Sequence, residues 1–205
     1  MGALLPIRSA AQTDVYLAGM QECLSERDFS NLSELFAEMD RHLHSFILTD
    51  NVYYGFAIQY STRQMEEEVF RVEEGSRLDS LIRVNLASGL WRKMEPVSGE
   101  DGIELVPPGG MPPPRDPSTI ESVTFDPDGA FIKCSLVYTL QPALSRVYQR
   151  YHVYHVASSK VKINALLDIF REEDYALPSV QYFIALDILL QHMLLMNEYE
   201  VPTGK

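Results

Sequence analysis

The stretch PSVQYFIALDILLQHMLLMNE, residues 178 to 198, constrains the chain more than any other. Pro178 suits the first turn of a helix, where its missing N–H costs nothing. On a helical wheel Phe183, Ala185, Leu186, Leu189, Leu190, Met193, Leu194 and Met196 fill one broad arc. Val180, Ile184, Ile188 and Leu195 spill onto the other side, among Gln181, Asp187, Gln191 and His192. A helix apolar on more than one side is either enclosed by its own chain or presents its second side to another subunit. Asp187, Gln191 and His192 interrupt the run, so the sequence predicts no membrane span.

The rest of the chain must supply that enclosure. With 205 residues, 46% of them hydrophobic, it suffices for one core, and a single domain over 1–205 is expected. Residues 1–11 form an N-terminal arm, too short in apolar core for a signal peptide and too weakly basic for a transit peptide. Cys23 and Cys134 lie far apart and share no metal-ligand spacing, so neither a disulfide framework nor a metal is indicated, and a reduced, cytoplasmic compartment is expected.

Two amphipathic helices open the chain. Thr13 and Asp14 can cap the first, with Tyr16, Met20, Cys23 and Leu24 at helical spacing. The second starts near Ser30 or Asn31 and carries Leu32, Leu35, Phe36, Met39, Leu43, Phe46 and Ile47 on one stripe. The period then becomes two. NVYYGFAIQY places Val52, Tyr54, Phe56, Ile58 and Tyr60 on one side, as a half-buried strand does. EVFRV, LIRVNL and GLWRKM read as a meander. Residues 95–117 are rich in Pro and Gly and read as a long loop or insertion. TIESVTF and AFIKCSLVYTL read as a hairpin through Asp126-Pro127-Asp128-Gly129, and RVYQRYHVYHV and VKINALLDIF as further strands, although the last could begin a helix. The C-terminal helix occupies 178–197.

Charge is distributed unevenly. Seventeen cations against 29 acids give a net charge of −12, which repels nucleic acid at long range. Yet no acid occurs between Asp128 and Asp168, where Lys133, Arg146, Arg150, Lys160 and Lys162 all lie. Set those five aside and 12 cations face 29 acids. Either the basic stretch neutralises acidic runs such as 66–68 and 172–174 within the fold, or it meets an acidic partner. Read as a strand, RVYQRYHVYHV puts His152 and His155 on opposite faces, where they cannot share a metal.

The helix pair YLAGMQECLSERDFSNLSELFAEM, followed later by SVTFDPDGAFIKCSLVYTL and RVYQRYHVYHVASSKVKINALLDIF, resembles the NTF2-like superfamily. The likeness covers about 90 of the 205 residues at the level of pattern. It implies an α+β fold: two N-terminal helices, a curved antiparallel sheet and the hydrophobic C-terminal helix. It also implies a cone-shaped cavity, in which His42, His44, Asp50, Tyr53 or His155 could transfer protons as in a dehydratase, isomerase or cyclase. No nucleophile motif, phosphate loop or Cys/His ligand set occurs in the sequence, and no cofactor is expected. The favoured expectation is a non-catalytic interaction or structural subunit, a homo-oligomer or a heteromer. It would bind through a basic aromatic sheet surface bearing Arg146, Tyr148, Arg150 and Tyr154 and through Ile188, Met193 and Leu195 of the last helix.

Overall fold

The structure, a computed structural model, describes residues 8–94, 122–151, 158–197 and Tyr199. The loop expected at 95–117 lies outside them. The fold is mostly helical, which overturns the expected α+β sheet. Helix α1 (Arg8–Cys23) begins inside the expected N-terminal arm, and α2 (Glu26–Phe46) follows almost at once. Ser25 caps α2 by accepting the Asp28 N–H, and Leu32, Leu35, Met39 and Leu43 form its buried stripe. Both helices agree with their periodicity.

NVYYGFAIQY is helix α3 (Val52–Ser61), not a strand. Asn51 caps it by accepting the Tyr54 N–H, and Tyr53 and Ala57, outward in the strand reading, are buried while Ile58 is 37% exposed. A stretch apolar at nearly every position satisfies both periods, so its alternation does not discriminate between them. Gly55 permits the turn into this helix, because a Cβ there would sit 2.5 Å from the Thr49 hydroxyl oxygen. EVFRV contributes a short 3₁₀ helix (Glu67–Phe70), and LIRVNL lies in α4 (Arg77–Leu86), capped by Ser76. The expected meander shrinks to β1 (Trp91–Met94), paired antiparallel with β2 (Ser122–Phe125) in the register Trp91 to Phe125. Both agree with the strands expected from GLWRKM and TIESVTF.

AFIKCSLVYTL forms α5 (Ala130–Tyr138), and its buried set, Phe131, Ile132, Cys134 and Ser135, has helical spacing. Next comes α6 (Pro142–Gln149), with Pro142 at its start and the Gln141 side chain accepting the Ala143 and Leu144 N–H groups. VKINALLDIF lies in α7 (Ser159–Ile169), capped by Ser158. β-branched residues had favoured strands here, and burial on one helical face outweighs that preference.

The C-terminal helix (Pro178–Met196) is the axis on which these elements pack. It touches α1, α2, α7, β2 and the 3₁₀ helix at Glu67–Phe70. By length and composition it could cross a membrane, yet 78% of its apolar window is buried by the protein. Its middle, Ile184–Leu189, is a π-helix, a rare local widening of the turn.

Cys23 and Cys134 form a disulfide across 111 residues of sequence, contrary to the reading of two unrelated thiols. The bond ties the end of α1 to α5, which is already in close contact with it: a Cβ on Gly19 would lie 2.1 Å from the Tyr138 ring. Spacing gives no hint of such a pair, because helix packing alone brings the two residues together. Protein purified without reductant should therefore carry no alkylatable thiol, and C23S/C134S should lose about 2–5 kcal/mol in urea unfolding. Alkylation of both cysteines in the native protein would contradict the bond.

Candidate functional site

Two clusters of chemically capable side chains stand out, one enclosed and one exposed. The enclosed cluster forms around Asp187, in the π-helical middle of the C-terminal helix. Lys162 Nζ of α7 donates to Asp187 Oδ2 at 2.8 Å, and both side chains are at most 1% exposed. The Tyr151 hydroxyl donates to Asp187 Oδ1, which spends its only proton. The Thr124 hydroxyl, 2.7 Å from the Tyr151 oxygen and 3.3 Å from Oδ1, therefore donates to the tyrosine as the nearer acceptor. One turn on, Ser159 donates to Gln191 Oε1 at 3.1 Å.

Burial, and then the Asp187 carboxylate, raises the Tyr151 pKa well above its ordinary value, so the phenol stays protonated. The arrangement neutralises a buried charge and satisfies its lone pairs. It also fixes which face of the helix turns towards β2 and α7.

His192, one residue beyond Gln191, packs its ring 4.0 Å from Phe70 and bonds the Tyr60 hydroxyl through Nδ1 at 2.9 Å. Burial lowers its pKa, so the imidazole is held neutral.

The expected catalytic residues do not converge. His42 Nε2 bonds the Val69 carbonyl at 2.8 Å, while His44 Nδ1 bonds the Asp40 carbonyl at 2.8 Å on the exposed end of α2. Asp50 is exposed in the bend before α3. Tyr53 is buried, and burial followed by the Asp40 carboxylate raises its pKa well above normal. With the curved sheet absent, no cone joins these four. His155 and Tyr154 lie outside the described residues.

The expected partner residues divide. Ile188 and Met193 are completely enclosed in the core, and Tyr148 is buried against Phe183. Only Leu195 of the helix trio reaches the surface, at 45% exposure. Arg146 and Arg150 do remain outside, but on a helical hairpin instead of a sheet.

That hairpin is the exposed cluster. Along α6 the buried positions are Ala143, Leu144, Val147 and Tyr148, continued by Tyr151, a clear helical stripe. Arg146 and Arg150 occupy the opposite face one turn apart, and Lys133 and Val137 face outward on α5 in the same way. Among the described residues, Lys133, Arg146 and Arg150 have no carboxylate within ion-pair distance. Elsewhere pairing is common: Arg71 with Glu67, Arg77 with Glu34 and Glu38, Arg83 with Asp79, Arg92 with Asp126, and Arg171 with Glu173. The acidic runs at 66–68 and 172–174 thus meet arginines close in sequence, not the basic stretch.

No family model, curated protein or solved structure matches the chain.

Removing one member of the enclosed pair, in D187N or K162M, should cost about 3–5 kcal/mol because it strands the other. The double variant K162M/D187L should recover most of that loss, and urea unfolding of all three checks it. His192 predicts a separate pH effect. Its depressed folded pKa makes its contribution complete above the ordinary histidine value and lost as pH falls through the folded one. Stability should therefore decline below about pH 6.5 with a slope of up to ~1.4 kcal/mol per pH unit for this proton, and H192Q should flatten that limb.

Proposed function

We propose that this chain is a non-catalytic interaction or structural subunit that holds an acidic protein partner on the α5–α6 hairpin. The observation that carries this reading is the exposed trio Lys133, Arg146 and Arg150, clustered on one hairpin and without carboxylate partners among the described residues of a chain of net charge −12. A cation left without an internal partner on an acidic protein marks where a complementary surface can approach against the prevailing field. The surrounding charge disfavours polyanions that would also sweep across the acidic faces, and favours a compact acidic patch. The last helix contributes no broad apolar interface to this reading, since its second side belongs to the core. The hairpin is well suited to the task because its inner face is pinned by the core and by Cys134.

Native mass spectrometry on protein isolated at low ionic strength from its own source is the test. A reproducible assembly should appear, dissociate as salt is raised, and weaken at least tenfold in R146E/R150E, whose exposed substitutions leave urea stability nearly unchanged. A monomer at every ionic strength, or an assembly indifferent to the charge reversal, overturns the proposal.

A further inference from the structure

Leu48, in the bend between α2 and α3, is 91% exposed, more than any other large hydrophobic side chain among the described residues. Its neighbours fix it there. The Ile47 and Thr49 side chains both rest against Gly55 of α3, where a Cβ would come within 2.9 Å of one and 2.5 Å of the other. The Thr49 hydroxyl also donates to the Asn51 carbonyl at 3.0 Å. The Asn51 side-chain amide in turn donates to the Glu172 carbonyl at 2.7 Å, which ties the bend to the 3₁₀ helix at Glu172–Ala176. Asp50 and Glu172 are exposed, and among the described residues neither has a cation within ion-pair distance. The bend is thus a fixed aliphatic knob beside unpaired carboxylates. The α5–α6 hairpin carries the complementary set. Val137, 68% exposed, lies one turn from Lys133 on the outer face of α5, and Arg146 and Arg150 are exposed on and just beyond α6.

We infer that the acidic partner is a second copy of this chain, whose Leu48 bend docks on the α5–α6 hairpin, with Leu48 against Val137 and with Asp50 and Glu172 against the hairpin cations. This names the partner in the acidic-partner reading and rests on it. Each surface joins an exposed aliphatic side chain to charges of one sign that lack an ion-pair partner among the described residues, and the two signs are opposite. Covering Leu48 and Val137 removes apolar surface from water, and a knob already held in place loses little freedom on binding. The net charge of −12 on each copy opposes the approach only while it is unscreened. At about 0.15 M salt the Debye length is about 8 Å, so distant acids drop out while facing charges still attract. Because the bend and the hairpin are different surfaces, the contact is heterologous. Each copy offers both halves, and copies join head to tail.

The test is sedimentation velocity of the full chain over a concentration series. Association should grow with concentration at about 0.15 M salt and disappear at about 1 M. D50K/E172K and K133E/R146E/R150E should each weaken it at least tenfold, since like charges then face each other. An equimolar mixture of the two variants should restore it, because each supplies the charges that the other has reversed. L48S should weaken it about tenfold, the scale set by burying much of a leucine side chain. All these exposed changes should leave urea stability nearly unchanged. A monomer at every concentration, association that survives either reversal, or a mixture that stays monomeric overturns the second copy as partner. L48S that associates like the natural chain overturns the apolar half of the contact. The acidic-partner reading survives a failed second copy if an assembly isolated from the protein's own source still weakens in R146E/R150E, and falls with it if that assembly is indifferent.

Discussion

Burying Asp187 without compensation would cost several kcal/mol, and in this fold three other stretches of chain supply the compensation. Lys162 arrives from α7, Tyr151 from just beyond α6, and Thr124, which donates to the Tyr151 oxygen, from β2, while the carboxylate itself sits in the middle of the C-terminal helix. Each must be in place for the others to be tolerated. An apolar helix without this residue could rotate or slide among several packings of similar free energy. The observed packing is one in which the Asp187 and Lys162 charges meet. The π-helical segment coincides with this point, and the local widening places Asp187 inward while Ile184, Ala185, Ile188 and Leu189 stay fully buried around it.

The distribution of charge outside follows a different logic. Several acidic side chains pair with arginines close in sequence, as Glu67 does with Arg71 and Asp79 with Arg83, and Glu34, Glu38 and Asp126 meet arginines of other elements. Asp79 is the strongest case: the Tyr199 hydroxyl, then the Gly75 N–H, with Arg83 beside them, hold its pKa below the ordinary carboxylate value. Such local pairing leaves the α5–α6 cations outside the internal account. Their helices are nonetheless held firmly, by the Phe125 and Phe131 stack at 3.9 Å, by Tyr148 against Phe183, and by the disulfide to α1. A rigid scaffold beneath an unsatisfied surface loses little conformational entropy when a ligand covers it.

Much of the failed strand reading has one cause. In NVYYGFAIQY and AFIKCSLVYTL nearly every position is apolar, so a period of two fits as well as one of 3.6. The discriminating signals were the caps: Asn51, Ser76, Gln141 with Pro142, and Ser158 each mark a helix start. In RVYQRYHVYHV the window itself misled, since extending it backwards by two residues exposes Leu144, Val147, Tyr148 and Tyr151 as a helical stripe. Arg146 and Arg150 emerged from charge segregation, which needs no assignment of secondary structure. Lys162 was in the same basic stretch, and Asp187 was visible as an intruder in an apolar helix. Nothing local joined them.

The sequence by itself determined α1 and α2, the final helix with its two apolar sides, the two short strands, and the gathering of five cations in one acid-free stretch. Those are properties of periodicity and composition within a few turns of chain. Tertiary structure alone decided that the second apolar side faces inward, that Lys162 serves Asp187 while Lys133, Arg146 and Arg150 meet no carboxylate among the described residues, and that Cys23 meets Cys134. The physical reason is common to all three. Burial and pairing are relations between residues tens of positions apart, and their free energies are set by which surfaces meet, a quantity that no local pattern contains.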